Sequence, residues 1–190
     1  MKQMRNIREE IVPLIKETLQ TLTGSASDNE VSLLLGTAAA ESGLTFRKQL
    51  GGGPARGLWQ MEPGMTGAQD IFENYLRYPN RRRLYDNLTL IWFELDGVPY
   101  WTPKVADLEF HLEINDRLAC ALARIKYLRD PDAIPESVKG QAGYWKRVYN
   151  TPAGAGTAGH YLEAWESCGC AELLREELKE VLEAIEGEKP

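Results

Sequence analysis

Three observations predict a mainly α-helical fold. Apolar residues recur at helical spacing along nearly the whole chain, no segment shows sustained strand alternation, and helix-cap patterns precede several apolar runs. The 190 residues are 43% hydrophobic and 26% charged, enough for a sizeable single core and too apolar for wholesale disorder.

The elements follow in order. Ile7, Ile11, Leu14, Ile15, Leu19 and Leu22 form one stripe, which predicts a helix over 4–22 that Pro13 kinks or delays. Ser27 followed by Glu30 is a capping-box pattern; it opens a second helix with Val31, Leu34, Leu35 and Ala38 inward and a stop at Gly43. Residues 43–66 are rich in Gly and Pro and read as irregular, with room for a short hairpin. Thr66 and Gln69 repeat the capping-box pattern ahead of Ile71, Phe72, Tyr75 and Leu76, and Leu84, Leu88, Ile91 and Leu95 predict a further helix. Thr102-Pro103 reads as a cap followed by proline at the first helical position. Ile114, Leu118, Ala121, Ile125 and Leu128 then predict one long helix, ended by Asp130-Pro131. Val138, Ala142, Trp145 and Tyr149 give another, and Leu174, Leu178, Val181, Leu182 and Ile185 close the chain. Strands, if any, belong in 43–66 and 95–104. Residues 1–170 are expected to form the body, with 171–190 as an acidic terminal helix that docks on it or on a partner.

Charge narrows the function classes. The formal net charge is −6, and residues 166–190 hold eight glutamates against Arg175, Lys179 and Lys189, leaving the remainder close to neutral. No long basic stripe is present, so a nucleic-acid partner is disfavoured. Arg81, Arg82 and Arg83 form the one basic run, either a solvated helix start or a patch for an anionic polymer. Mean hydropathy is −0.39 and no 18-residue window lacks charge, which argues against a membrane span. The first twenty residues mix both charge signs into their apolar positions, unlike a secretory signal, so the chain is expected to be made in the cytoplasm without a leader. Cys120, Cys168 and Cys170 suggest reduced thiols and no disulfide framework. His111 and His160 show no metal-ligand spacing, and neither a metal nor a cofactor is expected.

One carboxylate stands out. Glu41 ends the run Leu33 to Ala40, seven residues after Leu34 and three after Ala38, on the apolar side of its helix near the C-terminal end. Burial and the negative end of the helix dipole both raise the pKa of a carboxyl placed there. A carboxylic acid protonated near neutral pH is what general-acid cleavage of a glycosidic bond needs; a glutamate turned to solvent is the alternative. After it, Gly51 to Pro63 carries too many glycines for a helix, together with Trp59 and Gln60. Trp59 either offers a face to a sugar ring or plugs the core. A third block, Tyr149-Asn150-Thr151-Pro152-Ala153-Gly154-Ala155-Gly156, follows a helix bearing Tyr144 and Trp145, and suits either carbohydrate contact or simple helix termination.

Taken in order, the three blocks resemble the soluble lytic transglycosylases, within the lysozyme-like superfamily that includes goose-type lysozymes. Glu41-Ser42 match the family's helix-end pair. Ala55, Gly57, Leu58, Gln60 and Pro63 match its second motif, and Tyr149, Asn150, Ala153, Gly154 and Gly156 its third. Trp59 replaces a methionine, Glu62 stands before the proline, and Thr151-Pro152 is inserted in the third motif. The likeness spans roughly residues 30–165. It implies a lysozyme-like α domain, and Glu41 as the one catalytic acid and base. Ser42, Gly57, Leu58, Trp59, Gln60, Tyr149 and Asn150 would contact substrate. The substrate implied is the peptidoglycan glycan strand, cut at the β-1,4 bond between N-acetylmuramic acid and N-acetylglucosamine with a 1,6-anhydro product. Goose-type relatives hydrolyse instead, with a second acid placing water at a carboxyl separation of ~6.5–9.5 Å; Glu62, Asp70 and Asp96 are the acids open to that role. Without a leader, the chain resembles the versions that bacteriophages carry in virions and tails or use for lysis, which would make other virion proteins its partners. A catalytically silent tail protein on the same fold, or a helical partner-binding module, are the rival readings.

Overall fold

The computed structural model describes residues 7–92, 103–151 and 154–187, and it is mainly helical. α1 (Ile7–Thr23) runs through Pro13 and buries Ile11, Val12, Ile15, Thr18, Leu19 and Leu22. α2 (Asp28–Ser42) starts at Ser27, whose hydroxyl accepts from the Glu30 N–H while the Glu30 carboxylate accepts from the Ser27 N–H, satisfying two end donors reciprocally. Its C-cap, Gly43, adopts the left-handed conformation at φ 59°.

α2 is the axis of the fold. Val31, Leu33, Leu34, Leu35, Gly36, Thr37, Ala38 and Ala39 are all buried, so the helix has no solvent face along its middle and reads as continuously apolar. α1 packs against it, as do α6 (Asp116–Leu128), α7 (Val138–Trp145), α8 (Ala158–Ser167) and α9 (Cys170–Gly187). Gly36 permits the approach of α8: a Cβ there would lie 2.0 Å from the Tyr161 hydroxyl. Thr37 and Tyr127 share a buried hydrogen bond of 2.7 Å between α2 and α6.

Residues 43–67 are irregular, with isolated bridges Lys48–Arg56 and Arg56–Met61 inside the segment where a hairpin was expected. Ion pairs of Arg47 with Asp116, Lys48 with Glu113 and Arg56 with Glu109 tie this segment to α6 and to α5 (Val105–Ile114). α3 (Ala68–Ile71) continues into a π-helical turn over Phe72–Leu76. The Thr66 cap expected ahead of it does not form: Thr66 gives its hydroxyl to Glu62, and the N-cap residue is Gly67, held by Gly64. α4 (Arg82–Ile91) begins within the arginine run, where Arg82 pairs with Asp86 and Arg81 lies over the Tyr75 ring.

Three other boundaries differ from the sequence reading. The long helix expected through Ile114 and Leu118 is two helices, because Asn115 leaves the helical region (φ −115°, ψ 93°) and its side chain caps α6 at the Leu118 N–H. Ile114 therefore belongs to α5 and is exposed. α5 starts after Lys104, two residues later than a Thr102 cap would place it. α8 has no counterpart in the sequence reading. Thr157 caps it, and its short apolar set, Tyr161, Ala164 and Trp165, follows a Gly-rich stretch that hides the helix start. Residues 95–102, including Asp96, lie outside the described residues.

α9 packs its first turns on α1, α2 and α8: Cys170 is fully buried, Leu173 and Leu174 rest on the core, and Lys16 pairs with Glu177 at 3.2 Å. Further along, Leu178 and Val181 are exposed. Among the described residues no helix is long and apolar enough to cross a membrane.

Candidate functional site

Glu41 sits in the last turn of α2, where the buried axis reaches the surface at a groove of about 1140 Å³. Ser42, Gln60, Glu62, Lys126, Tyr149 and Asn150 also line this groove, as do His160 and Glu163. Three helices besides α2 converge here. A π-helical turn over Lys146–Asn150 extends α7 and carries Tyr149 and Asn150; α6 brings Lys126, and α8 brings His160 and Glu163.

The Glu41 carboxyl is pushed up to about 7. Burial is the main cause; opposing it are a hydrogen bond from Trp145 and the charges of Lys126 and His160. The Trp145 indole N–H donates to Oε1 at 3.0 Å. An indole is a neutral donor, so it orients the carboxyl without compelling it to ionise. With Oε1 occupied as acceptor, Oε2 is the oxygen left to carry a proton. His160 is held beside it, its Nε2–H donating to the Ala40 carbonyl at 2.8 Å.

The matched residues divide between groove and scaffold. Ser42 lines the groove, but it is buried and its hydroxyl donates back to Ala38 O at 3.0 Å. Gln60 also lines it, with a strained backbone at φ 44°, and its amide N–H groups staple the loop to Gly57 O (2.8 Å) and Phe46 O (3.2 Å). Tyr149 stacks on Tyr127 and donates its hydroxyl to Trp59 O at 2.8 Å. The Asn150 side-chain oxygen accepts from Lys146, which also bonds Thr151 O and Gly154 O, so this asparagine is chiefly a loop fastener. Gly154 and Gly156 are required by contact: a Cβ would meet Asn150 O at 2.2 Å in the first and the Trp145 ring at 2.5 Å in the second.

Gly57, Leu58 and Trp59 are not among the residues that line the groove. Trp59 is fully buried and donates its indole N–H to Leu34 O at 2.9 Å, so it plugs the core. Leu58 is buried beside it. Gly57 (φ 75°) faces the Leu112 carbonyl, 2.3 Å from where its Cβ would stand, so its missing side chain serves packing. Among the second-acid candidates, Glu62 lines the groove, whereas Asp70 lies elsewhere, bound to Arg129 and Asn74.

Lys126 and the indole contact of Trp145 were missed from sequence. Lys126 lies in the run Ala121–Leu128 among buried neighbours, and an isolated lysine in such a run is the signal that was there to read. The partnership of Trp145 with Glu41 spans 104 residues and has no local signal. Cys120, Cys168 and Cys170 are free thiols, and no cluster of three His, Cys, Asp or Glu capable of holding a metal occurs among the described residues. Comparison of the chain with protein-family models, curated proteins and solved structures gave no match.

Proposed function

We propose that the chain is a peptidoglycan-cleaving glycosidase of lytic transglycosylase type, with Glu41 as its one acid and base. A single observation carries this reading: a groove-lining carboxyl whose pKa burial raises to about 7, with a neutral indole as its one hydrogen-bond donor among the described residues. In the proposed reaction Glu41 Oε2 gives its proton to the glycosidic oxygen as the bond to C1 breaks. The resulting carboxylate takes the proton of the muramoyl 6-hydroxyl as O6 bonds to C1, which closes the 1,6-anhydro ring and restores the acid. Clearing of a purified cell-wall suspension tests it: Glu41→Gln should lose at least ~100-fold in rate with the fold intact. Substantial residual clearing by that variant contradicts the assignment.

A second reading, hydrolysis by water, is favoured by Glu62, the further carboxylate lining the same groove. Glu62→Gln separates the two. Transglycosylation through Glu41 alone survives that change, whereas hydrolysis through a positioned water does not. The proposal extends to delivery. Leu178 and Val181, exposed on an acidic helix, support α9 as the contact with another protein of a phage particle that brings the enzyme to the wall. Leu178→Lys in the phage should then lower the amount of this chain in purified virions.

A further inference from the structure

Lys126 is the one lysine carried on α6, and most of its side chain is withdrawn from solvent. Its ammonium is fixed twice by the same residue, donating to Tyr149 O at 2.8 Å and lying 4.2 Å from the centre of the Tyr149 ring. Tyr149 is itself locked by its hydroxyl on Trp59 O. The cation thus sits in the groove wall with Glu41 and Glu62, yet no carboxylate among the described residues lies within ion-pair distance of it. The other charged groups of this groove are Lys48 and Glu62 from the irregular segment and His160 and Glu163 from α8.

We propose that Lys126 is a positioning residue of this site: anchored on Tyr149, it is the fixed countercharge against which the Glu41 carboxyl gains and loses its proton. A cation fixed near the carboxyl but not bonded to it favours the ionised form only moderately. That suits a group that must be an acid before bond cleavage and a base after it. Burial lowers the ammonium's own pKa, while the charges of Glu41 and Glu62 raise it; the protonation of Glu41 and that of Lys126 are therefore linked. An arginine fork would bind the carboxylate outright and remove the acid.

The inference rests on Glu41 being the acid only where activity is measured, so titration comes first. In the whole protein, the Glu41 side-chain carboxyl and the Lys126 Cε are followed by carbon NMR against pH. In wild type the Lys126 resonance should report a step at the Glu41 midpoint. In Lys126→Met that midpoint should rise by about one pH unit, and Lys126→Arg should not reproduce the rise. By reciprocity, Glu41→Gln should lower the Lys126 midpoint. A Lys126 resonance in wild type that is blind to the Glu41 titration overturns the proposal even if the variants fail to fold, as does an unmoved Glu41 midpoint in Lys126→Met. If cell-wall clearing is present, its alkaline limb should move upward with the carboxyl. A coupled pair without any clearing upholds Lys126 and sinks the glycosidase reading.

Discussion

The two ends of α2 each carry a glutamate, and their carboxyls are shifted in opposite directions. Glu30 at the N-terminal end is partly buried, which by itself would raise its pKa, but hydrogen bonds from Ser27 and the Arg124 guanidinium at 2.7 Å outweigh that and hold it below the ordinary range. Glu41 at the other end meets burial with one indole N–H and the Lys126 ammonium outside ion-pair distance, and is pushed up to about 7. The helix dipole acts in the same sense at both ends, favouring the anion at the first and disfavouring it at the second. Deeper burial opposed by a neutral donor raises the Glu41 carboxyl, whereas at Glu30 the Ser27 hydrogen bonds and the Arg124 guanidinium together outweigh a lesser burial.

Breaking the structural end should have the largest effect on stability. Arg124→Met leaves Glu30 part-buried without its cation and should destabilise the fold by roughly 3 kcal/mol at pH 7. Because the Glu30 pKa is depressed, that contribution is present above its unfolded value and fades as pH falls; denaturant unfolding at pH 7 and pH 3 checks both halves. At the other end the sign reverses. The raised pKa of Glu41 means that the unfolded chain ionises before the folded one, so stability falls between about 4.5 and about 7 and stays lower above. Glu41→Gln keeps the acceptor for Trp145 and should gain on the order of 2 kcal/mol at pH 8 while gaining little at pH 4. Equal stability of variant and wild type at pH 8 would remove the buried-acid account. Trp145→Phe sharpens the comparison further: losing the donor should raise the Glu41 midpoint by about one pH unit, read by carbon NMR. The smallest effect belongs to Ser27→Ala, about 1 kcal/mol from the broken capping box, with Glu41 titrating as before.

The same two ends show what a sequence can disclose. The capping box at Ser27 and Glu30 is local chemistry, legible from four residues, and it forms as read. Glu41 was legible because a carboxylate closing an apolar run is anomalous wherever it occurs. Its environment was not, since Trp145, Lys126 and His160 reach it from helices that only the tertiary fold brings together. Trp59 illustrates the ambiguity of a single aromatic: a Gly-rich loop suits both an exposed platform and a plug, and the buried Leu34 carbonyl that claims its indole is invisible in sequence. Asn115 was overlooked because the apolar stripe continues in register across it, although its side chain ends one helix and caps the next.

The central claim is that Glu41 acts as acid and then base on the glycan strand. Mass analysis of the soluble fragments released from purified peptidoglycan tests it most directly. Wild type should release 1,6-anhydromuramoyl fragments, one water lighter than hydrolysis products, and Glu41→Gln should release almost none. Identical fragments in equal yield from both proteins, or no fragments from wild type, would contradict the account.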